Sequence, residues 1–160
     1  MANKAAGTPA TVVLTSAKVA HGLHPYDVPP DSPHYGALVA EALQVSPAAV
    51  FKTLIAEVDG ALTVAVVPVT GELDLKALAG VVGGKRATLA DRAAAERSSG
   101  YVRGGISPLG QRKSLPTVVD DSAQALATMY VSAGRRGLQV SLPPAELIRL
   151  TGATVARIRT

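Results

Sequence analysis

The chain has 160 residues, 48% hydrophobic and 18% charged, with a formal net charge of +4. That balance excludes a disordered chain and suffices for one domain with a real core, expected over residues 1–160. The absence of cysteine excludes a disulfide framework, a thiolate zinc site and a cysteine nucleophile.

The charge is unevenly spread. Residues 1–99 hold eight Lys/Arg against nine Asp/Glu, whereas residues 100–160 hold eight against three. A basic final third fits an anionic partner, nucleic acid being the commonest, and fits equally a merely basic soluble surface. Pro, Gly or charge interrupts every apolar run before it could span a membrane. No membrane contact is therefore expected, and the lack of cysteine fits a cytoplasmic setting.

In chain order, Thr8 reads as an N-cap and Pro9 as the first residue of a helix that runs to Gly22; Lys18 inside this segment argues against a signal peptide. "LHPYDV" reads as a short strand, "PPDSPH" as a loop and "YGALVAEALQ" as a helix, with a turn at Ser46-Pro47. "VFKTLIAEV" and "ALTVAVVPV" flank Asp59-Gly60, the strongest hairpin signal in the chain. "LDLKALAGVVGG" follows as a helix, "RATLA" as a strand, and "DRAAAERSS" as a helix started by Asp91. The stretch "SSGYVRGGISPLGQRKS" has neither helix nor strand period. After it, "PTVVDD" reads as a buried strand and "SAQALA" as a helical turn. "TMYVSAG" and "LQVSL" are strands around "GRRG", "PPAELIRLTG" is a helix and "ATVARIRT" a last strand. Irregular alternation with two hairpins predicts an α+β fold, a mixed sheet with helices around it, not a doubly wound one.

Lys52 stands out within the first hairpin. Strand alternation puts it on one face with Leu54, Ala56 and Val58, all apolar. A cation there either snorkels to water or reaches into a pocket to hold a carbonyl or phosphate oxygen. The run Gly104, Gly105, Ile106, Ser107, Pro108 either forms ordinary turns or presents successive main-chain N–H groups to a ligand. It matches neither a P-loop nor a dinucleotide fingerprint. Arg135 and Arg136 in "GRRG", with Arg103, Arg112 and Lys113, form either a solvated surface or a basic rim for phosphates. His21, His24 and His34 match no metal-ligand spacing, so no metal and no cofactor are expected. No serine sits in a nucleophile elbow.

Three segments, "VFKTLIAEV", "SGYVRGGISPLGQRKSLPTVVD" and "YVSAGRRGLQVSL", together with "VAVVPVTGELDLKALA", resemble the YbaK/EbsC family of aminoacyl-tRNA editing proteins. The likeness runs in order from Thr8 to Ile158. It implies a single α+β editing domain around a mixed, partly closed, barrel-like sheet of about seven strands. It implies trans-editing, the removal of a wrong amino acid from the acceptor end of tRNA(Pro), with the Cys-tRNA(Pro) deacylases the most similar subfamily. The family lysine falls on Lys52 and the family loop on Gly104 to Pro108. A substrate-facing tyrosine falls on Tyr26, and the serine–glycine–basic turn on Ser132, Gly134, Arg135, Arg136 and Gly137. One position departs: the subfamily often has an acid where this chain has Gln139, which opens the amino-acid preference to alanine or to serine and threonine. The resemblance also admits assistance by the substrate's own thiol and prolyl-tRNA synthetase as a partner. A non-catalytic aminoacyl-tRNA-binding module is the reading from another class, and a small-molecule enzyme with a phosphate on the glycine loop is a further one.

Overall fold

The computed structural model describes residues 7–29 and 31–160. The first six residues of the expected domain, and Pro30 of the "PPDSPH" loop, lie outside the described residues. Helix α1 (Pro9–Ser16) begins as read: the Thr8 side chain accepts from the Thr11 N–H and Pro9 opens the first turn. It ends six residues before Gly22, because Lys18 turns to φ 57° and the Val19 N–H closes onto the Leu14 carbonyl at 3.0 Å. The other elements follow the expected order: β1 (Gly22–Pro25), α2 (Tyr35–Leu43), a 3-10 turn (Pro47–Ala49), β2 (Phe51–Val58), β3 (Ala61–Pro68), α3 (Leu75–Val81), β4 (Ala87–Leu89) and α4 (Arg92–Ser99). After the glycine-rich stretch come β5 (Thr117–Asp120), a 3-10 helix (Asp121–Ala125), β6 (Met129–Arg135), β7 (Leu138–Leu142), α5 (Pro144–Thr151) and β8 (Thr154–Ala156). The last strand is shorter than "ATVARIRT", although Arg159 still pairs with Leu73 in an antiparallel bridge.

The fold is α+β, as expected. The described strands divide into two sheets instead of closing around one barrel: β1-β7-β6, antiparallel, and β4-β2-β3-β5-β8, mixed. β4 occupies the far edge of β2 only at Ala56 to Val58, and β6 is bridged only to Val50, the residue before β2, in a parallel bridge from Tyr130. The edge of β2 from Phe51 to Leu54 is therefore left between the two sheets.

Both faces of β2 and β3 are covered. Phe51 and Ile55, with Val64 and Val66, join the core that also takes Leu14, Met129, Val140 and Leu147. Ala56, Val58, Ala65 and Val67 pack on the other face against Leu78 and Ala79 of α3. The Asp59-Gly60 turn has positive φ at both residues, 50° and 86°, which matches the right-handed twist of the hairpin. The Asp59 carboxylate also accepts the N–H groups of Lys85 and Arg86 at 2.9 and 3.0 Å, holding the approach to β4.

Candidate functional site at the gap between the sheets

A cleft of about 450 Å³ opens where the edge of β2 is uncovered, within the range of small-molecule sites. Its floor is the start of β2, including Lys52 and Thr53; α2 contributes Tyr35, and α4 contributes Arg92 and Glu96. The glycine-rich loop supplies Arg103, Gly104 and Ile106, and β6 and β7 supply Ser132 and Gln139 from the other sheet. Six residues singled out in the sequence thus meet in one place: Lys52, Arg103, Gly104, Ile106, Ser132 and Gln139.

Lys52 lies on the α3-facing side of β2, the face shared with Leu54, Ala56 and Val58. Lys52 lines the cleft, and its ammonium donates at 3.1 Å to Oε2 of Glu72, a residue outside the lining. Thr53 and Gln139 line the cleft, and Thr53 Oγ1 and Gln139 Oε1 are buried with no hydrogen-bond partner among the described residues. Gln139 is only 6% exposed, between Leu138 and Val140, which are 1% and 0% exposed. An unpaired buried acceptor is costly unless a ligand donor meets it. Ser132 Oγ accepts from the Gly134 N–H at 3.2 Å, so this serine braces its own turn.

The glycines have separate uses. A Cβ on Gly105 would lie 2.8 Å from the main chain of Arg135 and Arg136, so the loop rests backbone to backbone on the β6–β7 turn. The Gly105 N–H donates to the Val102 carbonyl at 2.9 Å. It is therefore not one of a row of open donors. The N–H groups of Gly104 and Ile106 have no protein acceptor among the described residues. A Cβ on Gly134 would come 2.8 Å from the Tyr101 ring, which passes beneath it and donates its hydroxyl to the Leu109 carbonyl at 2.6 Å. Two charged contacts hold the loop from outside: Glu96 Oε2 accepts the Arg103 N–H at 2.8 Å, and Arg136 Nε donates to the Arg103 carbonyl at 2.8 Å.

The other expected site residues lie outside the cleft lining. Ser107 is fully buried and its hydroxyl accepts the Leu109 N–H at 3.2 Å. Pro108 and Lys113 border a smaller hollow of about 180 Å³ behind the loop. Arg112 lies over Gly100. Arg135 and Arg136 are exposed on the hairpin turn beside the loop. Tyr26 stands one residue behind the wall, its hydroxyl 2.7 Å from that of Tyr35. Burial and that hydrogen bond push the Tyr35 hydroxyl above its ordinary pKa, so Tyr35 is a neutral phenol at physiological pH.

Tyr35, Thr53, Glu72, Arg92 and Glu96 were not singled out in the sequence. Tyr35 opens a predicted helix, and Thr53 sits next to Lys52, which was the available signal. Glu72 and Glu96 carried none, because each meets its partner only after the loops fold back. Among the described residues no group of three His, Asp or Glu side chains converges as a metal site, and no helix is long and apolar enough to cross a membrane. His21 Nδ1 contacts the Val19 carbonyl at 2.7 Å and His24 Nε2 contacts Ser141 Oγ at 2.7 Å, both away from the cleft.

The model of the aminoacyl-tRNA editing domain matches residues 35–150, which contain the cleft and its loop. The chain belongs to that family. It is 41% identical over 125 residues, 76% of its own length and 75% of the relative's, to a protein of Enterococcus faecalis that carries the provisional name Cys-tRNA(Pro)/Cys-tRNA(Cys) deacylase EbsC. Two solved structures share the fold. The hypothetical protein APE2540 matches with a TM-score of 0.84 at 25% identity, over 95% of this chain and 99% of that one. A protein described provisionally as a trans-editing enzyme for prolyl-tRNA synthetase matches with a TM-score of 0.83 at 21% identity, over 100% and 99%.

Proposed function

We propose that this chain is a trans-editing deacylase that releases a wrongly attached amino acid, cysteine above others, from tRNA(Pro). The observation that supports it most is that Lys52, Gly104 and Ile106 line one cleft with Thr53 and Gln139, and that the Gly104 and Ile106 N–H groups have no protein acceptor among the described residues. The named relative supplies the substrate class.

In this reading the aminoacyl ester enters with its carbonyl oxygen toward the Gly104 and Ile106 N–H groups. These donors stabilise the charge that develops on that oxygen in the tetrahedral intermediate. Lys52 holds an anionic oxygen of the terminal nucleotide and fixes the ester in place. Gln139 and Thr53 accept from the amino acid's ammonium or side chain. Arg103, Arg135 and Arg136 take phosphates of the acceptor end. Substrate-thiol attack, which the family resemblance implies, needs no protein nucleophile, and among the described lining residues there is no His or Cys. The cysteinyl sulfur attacks its own ester carbonyl, a C–S bond forms, and the bond from the carbonyl to the ribose oxygen breaks. The thiol proton passes to that ribose oxygen, leaving intact tRNA and a thiolactone that water opens afterwards.

The test is release of amino acid from Cys-tRNA(Pro), Ser-tRNA(Pro) and Ala-tRNA(Pro), by wild type and by Lys52→Ala. Loss of cysteine alone, with Lys52→Ala slower by about 100-fold or more, supports the proposal. Release of serine or alanine at equal rate moves the specificity and removes the thiol from the mechanism. Binding of all three without release leaves an aminoacyl-tRNA-binding module. Prolyl-tRNA synthetase as a partner is tested separately, by adding it to the wild-type reaction.

A further inference from the structure

Lys52 has a counter-ion whose main chain is anchored and whose side chain is loose. Glu72 lies in the turn between β3 and α3, where the Gly71 N–H donates to the Pro68 carbonyl at 3.2 Å. The Thr160 N–H donates to the Glu72 carbonyl at 2.9 Å, the Glu72 N–H donates to Thr160 Oγ1 at 3.4 Å, and the Asp74 N–H donates to the Ile158 carbonyl at 2.7 Å. Arg159, between those partners, is held by the carboxylates of Asp120 and Asp121 at 2.7 and 2.8 Å. The backbone of Glu72 is thus pinned to the segment that follows β8, which Arg159 ties to Asp120 at the end of β5. Its side chain is 80% exposed, against 31% for Lys52, and among the described residues its carboxylate meets only Lys52.

An ion pair with one partner this exposed contributes at most about 1 kcal/mol. It is strong enough to park an ammonium and weak enough to yield to a phosphate. We propose that Glu72 is a positioning residue that holds the Lys52 ammonium in the free protein and surrenders it to an anionic oxygen of the substrate. The inference rests on Lys52 acting on the substrate as described above. Entry then requires an anion to displace the carboxylate. An amino-acid ester carried on a nucleotide meets that requirement, and a free amino acid ester does not. The pinned backbone keeps the carboxylate within reach, so that Lys52 returns to it after product leaves.

Adenosine 5′-monophosphate is the probe, titrated by NMR into wild type, Glu72→Gln, Lys52→Ala and the double variant. Glu72→Gln is expected to tighten binding by up to about fivefold, the ceiling set by the exposed pair. Lys52→Ala is expected to weaken binding, and on that background Glu72→Gln is expected to change nothing. The gain should fade as salt is raised toward about 0.5 M. In deacylation, Glu72→Gln should lower KM. Unchanged or weaker binding by Glu72→Gln overturns the exchange. Tightening that survives Lys52→Ala also overturns it, because the effect is then one of general charge. A wild type that releases no amino acid from any charged tRNA would sink the deacylase reading instead, and the nucleotide titration is read independently of that result.

Discussion

Glu96 Oε2 accepts the main-chain N–H of Arg103 at 2.8 Å, so the middle of α4 carries one end of the loop that presents Gly104. The Arg103 N–H, and after it the Arg92 guanidinium, hold the Glu96 carboxyl below the usual carboxylate range. A depressed carboxylate adds order that is fully present above its unfolded pKa, about 4.3, and is lost as pH falls through the lower folded value. Glu96→Ala should speed amide exchange across residues 102–106 at neutral pH and cut kcat by about 10-fold to 100-fold through misplacement of the loop. Exchange equal to wild type would remove Glu96 from that role.

Gly105→Ala tests the backbone contact with Arg135 and Arg136. The added methyl has no flexible neighbour to push aside, so the expected loss is about 1–3 kcal/mol in denaturant unfolding, with a larger relative loss of activity. Gly80→Ala is the matched control. A Cβ there meets nothing within 4 Å, and alanine inside α3 should stabilise by about 0.5–1 kcal/mol. Equal effects from the two substitutions would contradict the contact.

Gln139→Leu separates a structural role from a recognition role. A buried amide whose oxygen is unbonded gives the fold little, so leucine should leave Tm unchanged or raise it. Deacylation should weaken through KM, because the aminoacyl group loses an acceptor. A fall in Tm of several degrees with unchanged KM would make Gln139 a packing residue.

Asp120 is fully buried, and its carboxylate accepts the Ser122 N–H at 3.1 Å, the Ile158 N–H at 2.9 Å and Arg159 Nη1 at 2.7 Å. Burial raises its pKa, but the hydrogen bonds from Ser122, Ile158 and Arg159 outweigh it and the net shift is downward. Its contribution is therefore complete above the unfolded value near 3.9 and disappears as pH falls through the folded one. Asp120→Asn should cost about 3 kcal/mol at pH 7, and the gap to wild type should narrow in acid. A gap that stays constant from pH 7 down to about pH 2 would contradict this account.

The basic residues should divide by position. Arg103, Arg135 and Arg136 border the cleft loop, so neutralising each should lower the salt slope of tRNA binding by about 0.7. Arg112 and Lys113 sit on the other side of the loop, and neutralising them should change the slope less. Equal slopes for all five would move the RNA path away from the cleft.

Much of this was legible because local rules sufficed. The Asp59-Gly60 turn fixed the register of β2 and β3, and alternation within β2 isolated Lys52. Thr8 and Asp91 cap helices by short-range hydrogen bonds that the sequence pattern reveals, whereas Asp74, read as part of the third helix, caps it from outside. Sheet membership was less accessible. β6 could have continued the ladder from β2, and only the placement of β4 along the same edge, together with the pairing of β1 with β7, divides the strands into two sheets. The glycine run showed that backbones approach something closely. It could not show that Gly105 approaches another stretch of this chain while Gly104 and Ile106 face the cleft. Glu72 and Glu96 were invisible for a related reason, since each pairs with a group brought near by a loop reversal.

β3 and β5 are parallel neighbours, with Val64 beside Thr117 and Val66 beside Val119. Everything from α3 through the glycine loop is therefore one excursion between two neighbouring strands, tied back to the sheet by strand pairing only where β4 pairs with β2. Doubling the length of such a segment costs only about 0.6 kcal/mol in closure entropy. The exposed turn near Arg112 and Lys113 is the natural place for insertions. A scaffold of this kind can exchange its recognition surface while its strand pairing is inherited intact, and chains sharing the architecture can diverge in what they correct without relearning how to fold.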